Sequence, residues 1–262
     1  MLTYHRTGPG GSCPLLLLHA LPLDSSMWNR VVAQLEDIDV LTVDAPGFGS
    51  SPTGAEIDEE FGADAPSLDT YARAIARDLE DMGIERVIVG GLSMGGPVAV
   101  ALSRLAPDKV AGLALMDTNI AADSDEARQN RRAAITKADS GDISSVLSMA
   151  DTMTAQKTKD DRRKVYCGLK DQLAQVNAAS LAWIQRAMAN REDQRDAVKV
   201  PVLLVRGEED ASCTEEMMED LAQRYGAEVH TIPGAGHFTA VETPKSLARL
   251  LRKFYDDIVH AD

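Results

Sequence analysis

The chain has 262 residues and a 44% hydrophobic fraction, enough for one large domain with a real core, or for a domain that carries an insertion. Lys and Arg total 27 against 41 acidic residues, a net charge of −14, which repels phosphate backbones and argues against a nucleic-acid partner. No stretch approaches the roughly 18 apolar residues that a membrane span needs. The opening MLTYHRTGPGG has neither the apolar run nor the cleavage site of a secretory signal. Cys13, Cys167 and Cys213 are scattered, as reduced thiols are. No His, Cys and carboxylate set stands at metal-ligand spacing. The expectation is a cytoplasmic protein that needs no metal and no cofactor. The pattern specifies no oligomeric state.

Taken in chain order, short apolar runs alternate with helical patterns. Leu15–Leu18, Val40–Val43, Val87–Val89, Val110–Met116, Val200–Val205 and Val229–Ile232 are bounded by turn residues and suit strands buried on both faces. Gly54–Pro66 carries Glu56, Asp58, Glu59, Glu60 and Asp64 and reads as an exposed acidic loop, solvated or rimming a pocket against anions. Thr70–Met82 shows one apolar stripe, Tyr71, Ala74, Ile75 and Leu79, and Gly83 is placed to stop it. The last helix opens on Thr243-Pro244, a capping threonine before a proline in the first helical position, and runs through Leu247, Leu250, Leu251 and Phe254. Strand and helix in alternation predict an α/β fold, a mostly parallel sheet with helices on both faces. The alternation lapses between about Asp123 and Asp196, where the pattern is helical throughout. This predicts a helical cap over residues 121–196, inserted into a core made of 1–120 and 197–262. One ordinary crossover needs far fewer residues.

The chemistry gathers at the carboxyl ends of the strands, as it does in open parallel sheets. Val87-Ile-Val-Gly-Gly-Leu-Ser93-Met-Gly-Gly-Pro97 sets Gly91 and Gly95 on either side of Ser93 between a strand and a helix. Glycines at that spacing let strand and helix approach across a sharp turn that leaves the serine hydroxyl exposed at a helix amino end. By itself the spacing also fits any glycine-rich strand-to-helix turn. A serine needs an oriented base. Of the five histidines, His237 follows the last predicted strand, and Asp210 follows the strand before it. The chain order Ser93, Asp210, His237 is that of one hydrolase architecture.

Four stretches carry a resemblance over nearly the whole chain: Leu-Leu-His19-Ala20-Leu21-Pro22 followed by Trp28; Asp44-Ala-Pro-Gly47-Phe48-Gly49-Ser-Ser51; Gly91-Leu-Ser93-Met94-Gly95-Gly96; and Gly207-Glu-Glu-Asp210 with Gly236-His237-Phe238. The chain resembles the α/β-hydrolase family, and within it small bacterial esterases and 3-oxoadipate enol-lactonase-like hydrolases. The resemblance implies Ser93 as nucleophile, His237 as general base and then acid, and Asp210 as the group that orients it. It also implies an oxyanion site from the backbone N–H groups of Met94 and Leu21. His19 would then tie the oxyanion loop, and Asp44 would hold the Pro-Gly turn. Asp117, at the end of another strand, is a rival orienting acid, since some members place it there. Two departures stand out. Ala20 replaces the family's usual glycine, and the hairpin that opens the fold is shortened, which predicts seven strands.

The implied reaction is hydrolysis of a carboxylic ester or lactone of a small, fairly apolar molecule through an acyl-enzyme on Ser93. Perhydrolase or haloperoxidase-like chemistry, carbon–carbon bond hydrolysis, and a non-catalytic binding role are the alternatives. Met149, Met153, Trp183 and Met188 are candidates to line an apolar pocket, or are simply core. Arg128, Arg131 and Arg132 are candidates to bind a carboxylate, or form a solvated helix face.

Overall fold

The apolar runs form one sheet. A computed structural model describes residues 1–260 and places β1 (Tyr4–Thr7), β2 (Leu15–Leu18), β3 (Val40–Val43), β4 (Val87–Leu92), β5 (Val110–Met116), β6 (Val202–Gly207) and β7 (Val229–Ile232) in a seven-stranded sheet of order β1-β3-β2-β4-β5-β6-β7. β1 runs antiparallel to β3, and every other pairing is parallel. The segment before β2 thus supplies one edge strand, which makes the sheet seven-stranded as the sequence predicts.

β2, β3, β4 and β5 are buried along their whole length, as their unbroken apolar composition demands. Successive side chains point to opposite faces. Leu16, Leu18, Leu41 and Val89 therefore join one core, and Leu15, Leu17, Val40 and Ile88 the other. Each fully buried leucine or valine contributes about 1.5–3 kcal/mol relative to exposure.

Helices cover both faces. A 3-10 turn (Ser25–Trp28) leads into α1 (Asn29–Val32), which packs with the second core. α2 (Gly54–Phe61) and α3 (Leu68–Asp81) follow β3. The stripe predicted on α3 is buried, Ser67 caps it, and Gly83 takes φ 69° just beyond its end. α4 (Gly95–Leu105) lies between β4 and β5. α11 (Glu215–Tyr225) joins β6 to β7. α12 (Thr239–Glu242) and α13 (Pro244–Val259) close the described chain. No helix among the described residues is long and apolar enough to cross a membrane.

Between the neighbouring strands β5 and β6 stand six helices: α5 (Asp125–Asp139), α6 (Ser144–Leu147), α7 (Met149–Met153), α8 (Gln156–Asp161), α9 (Arg163–Leu173) and α10 (Ala178–Ala189). α10 packs along α5 and reaches α2 and α3, while Leu169 and Leu173 of α9 join the second core.

Two local expectations are corrected. Gly54–Phe61 is a helix and not an exposed loop. Thr53 and Glu56 form a capping box in which each satisfies an amide of the other's turn. Ile57 anchors the helix in the core at 0% exposure, and the Trp183 indole lies on Gly54 and donates to Asp58 Oδ2 at 2.6 Å. Glu59 and Glu60 face solvent, so the acidic composition masked one fully buried apolar anchor, with Phe61 packed half-buried beside the same core. At α13, Pro244 does occupy the first turn, but the Thr243 side chain makes no cap bond. Its hydroxyl donates instead to the Thr239 carbonyl at 3.1 Å.

Because one side chain roots α2, Ile57→Ala should lower unfolding stability by about 2–5 kcal/mol. Urea denaturation of the two proteins measures it, and a loss under about 0.5 kcal/mol, the scale of surface changes, would contradict the anchoring.

Candidate active site

Ser93 follows the last residue of β4 and holds φ 54°, in the left-handed region that a side chain rarely enters. Three bonds fix it there. Its N–H donates to the Met116 carbonyl at 2.9 Å, and its own carbonyl accepts from Thr118 Oγ1 at 2.6 Å and from Gly96 N at 3.0 Å. A Cβ on Gly91 would stand 2.1 Å from the Gly95 carbonyl oxygen, and one on Gly95 would stand 2.5 Å from that of Leu18. The glycine–serine–glycine spacing is therefore a backbone packing requirement.

His237 lies between β7 and α12. Its Nε2 is 2.8 Å from Ser93 Oγ, and its Nδ1 is 2.8 Å from Asp210 Oδ2. The three residues that the sequence singles out meet in one hydrogen-bonded chain. The Asp210 contact calls for Nδ1–H, which leaves Nε2 to accept the serine proton.

Sequence reasoning missed Ser212. Its hydroxyl bonds Asp210 Oδ1 at 2.7 Å and stands 2.9 Å from His237 Nδ1, while its N–H and that of Cys213 also donate to Oδ1. Both Asp210 oxygens are thus committed, one to the imidazole and one to the turn Asp210–Cys213.

Glu242, also missed, is a buried carboxylate that ties the histidine loop to the helical block between β5 and β6. Oε1 accepts from Gly236 N and Phe238 N, and Oε2 from Ala155 N and Thr158 Oγ1. His237 N–H itself donates to the Met153 carbonyl at 2.8 Å. Neither residue sits in a motif: Ser212 acts through His237, 25 residues on, and Glu242 through Ala155 and Thr158, more than 80 residues back.

Burial alone would drive the proton off His237, but the Asp210 bond and charge, with smaller help from Asp117 and Glu242, raise its pKa above the ordinary 6.5. Burial likewise opposes ionisation of Asp210, and its bonds to His237 and Ser212 prevail and lower its pKa. Asp117 differs. Its Oδ1 accepts from Gly207 N at 2.7 Å and its Oδ2 from Thr239 Oγ1 at 2.5 Å, bonds that favour the anion. Complete burial, with the Asp210 charge added, overrides them and pushes Asp117 up to about 8. It is bonded to the backbone of β6 and to α12, with Asp210 on the imidazole.

His19 is buried and takes no part in this chain. Nε2 accepts from Ala45 N at 2.9 Å, so Nδ1 carries the proton and donates to the Ala20 carbonyl at 3.0 Å. Burial lowers its pKa, consistent with a neutral strut that joins the loop after β2 to the loop after β3. Asp44 steadies the same region by accepting from Ser25 N and Ser50 N.

A cavity of about 590 Å³ opens at Ser93 and His237, with Leu21 and Met94 in its wall. Met149, Met153 and Met188 line it. Trp183 does not, because its indole is turned onto α2. Arg131 reaches the cavity. Arg128 pairs with Asp125 on the outer side of α5, and Arg132 is exposed.

Against known proteins, the model of the alpha/beta hydrolase family matches residues 15–250. An esterase of Mycobacterium tuberculosis is 27% identical over 94% of this chain and 84% of its own. The solved thermophilic esterase from Thermogutta terrifontis, with malate bound, superposes with a TM-score of 0.89 at 28% identity, over 98% of this chain and 93% of that one. The enol-lactonase from Burkholderia xenovorans LB400 gives 0.81 at 25% identity, over 97% and 96%. With a family model that spans most of its length, solved relatives that superpose over nearly all of it and a serine turn at the carboxyl edge of a mostly parallel sheet, the chain belongs to the alpha/beta hydrolase family.

Proposed function

We propose that the protein is a serine hydrolase that cleaves a carboxylic ester or lactone of a small molecule. The observation that carries this is the bonded chain Ser93 Oγ–His237 Nε2 and His237 Nδ1–Asp210, opening into the cavity. The esterase and enol-lactonase relatives support the same reaction class.

In the proposed cycle Ser93 Oγ attacks the carbonyl carbon while His237 Nε2 takes the hydroxyl proton. Asp210 stabilises the resulting imidazolium. The oxyanion turns toward the backbone N–H groups of Leu21 and Met94, which act without reorganising. His237 then gives its proton to the leaving alkoxide. Water enters and attacks the acyl carbon as the same nitrogen takes its proton, and the acid leaves as that proton returns to Ser93 Oγ. Ala20 sits in the oxyanion loop with its methyl group buried. Its carbonyl is held by His19 Nδ1 and Leu23 N and its N–H by Met27 Sδ, which supports a loop fixed in place despite the missing glycine. The helices from residue 121 to 196 act as a cap that sets substrate shape, with methionines for the apolar part.

Ser93→Ala should reduce hydrolysis of p-nitrophenyl acetate by about 10⁴-fold or more and abolish labelling by a fluorophosphonate probe. Retained labelling would refute the nucleophile. Asp210→Asn should cost about 10³–10⁴ in kcat, whereas Asp117→Asn should cost less than about tenfold, because Asp117 bonds Gly207 and Thr239 and leaves the imidazole to Asp210. Equal losses would reassign the orienting acid. The pH profile gives the sign independently. Activity needs unprotonated His237, so the acid limb of kcat/KM should lie above 6.5 in the native enzyme. It should move to lower pH in Asp210→Asn, where the carboxylate that retains the proton is gone. A limb that stays put would overturn the assignment of Asp210.

A further inference from the structure

At the end of the cavity formed by α5 and the loop after α10, two guanidinium groups share one carboxylate. Asp123 accepts from Arg131 Nε through Oδ2 at 2.5 Å and stands 2.6 Å from Arg191 Nη2 through Oδ1. All three residues line the same cavity as Ser93 and His237. The Arg191 and Asp123 side chains are each only 4% exposed, and Arg131 is 21% exposed. The arginines are held in place: Arg131 Nη1 donates to Gln185 Oε1 at 2.7 Å, and Arg191 Nε to the Ala121 carbonyl at 2.9 Å. Arg191 Nη1 faces the Met188 thioether sulfur at 3.9 Å, a weak acceptor.

Two positive groups against one negative leave a surplus of one positive charge in the cavity wall. A buried charge is costly unless it is paired. The strain is visible on Arg191, whose pKa falls to about 10 through burial, with the like charge of Arg131 adding to it and Asp123 only partly opposing. It remains a cation at neutral pH. The other charged groups of the wall do not cancel the surplus. Asp117, whose pKa burial pushes up to about 8, spends both oxygens on Gly207 and Thr239, and Asp210 lies behind the wall, committed to His237 and the Ser212 turn. The overall net charge of −14 is spread over the surface and is screened within about 8–10 Å at physiological salt, and Glu56, Glu59 and Glu60 do not line the cavity.

We propose that the substrate carries a carboxylate group that completes this ion cluster beside Arg131 and Arg191, while Ser93 attacks an ester or lactone carbonyl elsewhere in the same molecule. This rests on the hydrolase assignment above. Each guanidinium has five N–H donors, of which the bonds above use only some, so a carboxylate can accept charge-assisted bonds from the rest, and the cavity volume of about 590 Å³ is that of a small-molecule site. The methionines of the cavity wall take the aliphatic part that links the two groups. The expectation of a fairly apolar substrate thus becomes one of a substrate apolar in the middle and anionic at one end.

The test compares p-nitrophenyl hydrogen adipate with its methyl ester, two substrates that differ in the far carboxylate alone. In the native protein kcat/KM for the acid should exceed that for the methyl ester by about tenfold or more, the scale of a charge-assisted hydrogen bond. Arg131→Gln should bring that ratio toward one. The ratio is internal to each protein, so a general loss of activity in the variant does not mimic the effect, and the native comparison decides even if the variant fails to fold. Equal or reversed kcat/KM in the native protein overturns this inference alone. Hydrolysis of neither ester, with Ser93 unlabelled by the fluorophosphonate probe, overturns the hydrolase assignment as well.

Discussion

The chemistry of this molecule depends on the left-handed turn at Ser93. A non-glycine residue at φ 54° costs on the order of 1–3 kcal/mol and persists only where its surroundings over-determine it. Here they do. β4 is buried along its length, α4 begins two residues later, and Met116, Thr118 and Gly96 each hold the serine's backbone. The result is a hydroxyl lifted clear of the sheet at the one place where a loop after β7 can reach it. Relaxing the turn would lower the strain and put the hydroxyl out of line with the imidazole.

The two candidate acids show how environment sorts equal side chains into different roles. Asp210 has its oxygens divided between an imidazole and a turn of donors, which stabilises its charge. Asp117 is more deeply enclosed and spends its bonds on β6 and α12. Burial raises its pKa, and its bonds link the end of β5 to its neighbours. Chain position alone leaves the choice open, because both residues end neighbouring strands at the same edge. Only the direction of the imidazole separates them.

The sheet, the serine turn and the three bonded side chains were legible in the sequence for one reason. Each depends on local rules: apolar runs for buried strands, glycine where backbones touch, and turn positions at strand ends. What escaped was set by tertiary contact. One buried isoleucine turns an acidic stretch into α2, and no composition count reveals a single anchor. Trp183 reads as a pocket residue until the approach of Gly54 explains where its ring goes. Thr243 has the sequence of a cap, but α12 runs directly into α13 and offers its hydroxyl a carbonyl instead. Ser212 and Glu242 have no signature, since what gives each its role is a partner from another loop, His237 for the one and Ala155 and Thr158 for the other.

Glu242 also bears on how this architecture can be trimmed. Its two oxygens serve amides of the histidine loop on one side and the Ala155–Thr158 turn on the other, while Met153 supplies the acceptor for the histidine's own N–H. Excising the helices to reach a minimal catalytic core would therefore strip the imidazole's backbone of its scaffolding and leave a carboxylate half-satisfied. Under the proposed function the helical block is a splint for the base as much as a roof over the substrate, and shortening it would loosen the imidazole proposed to move the proton.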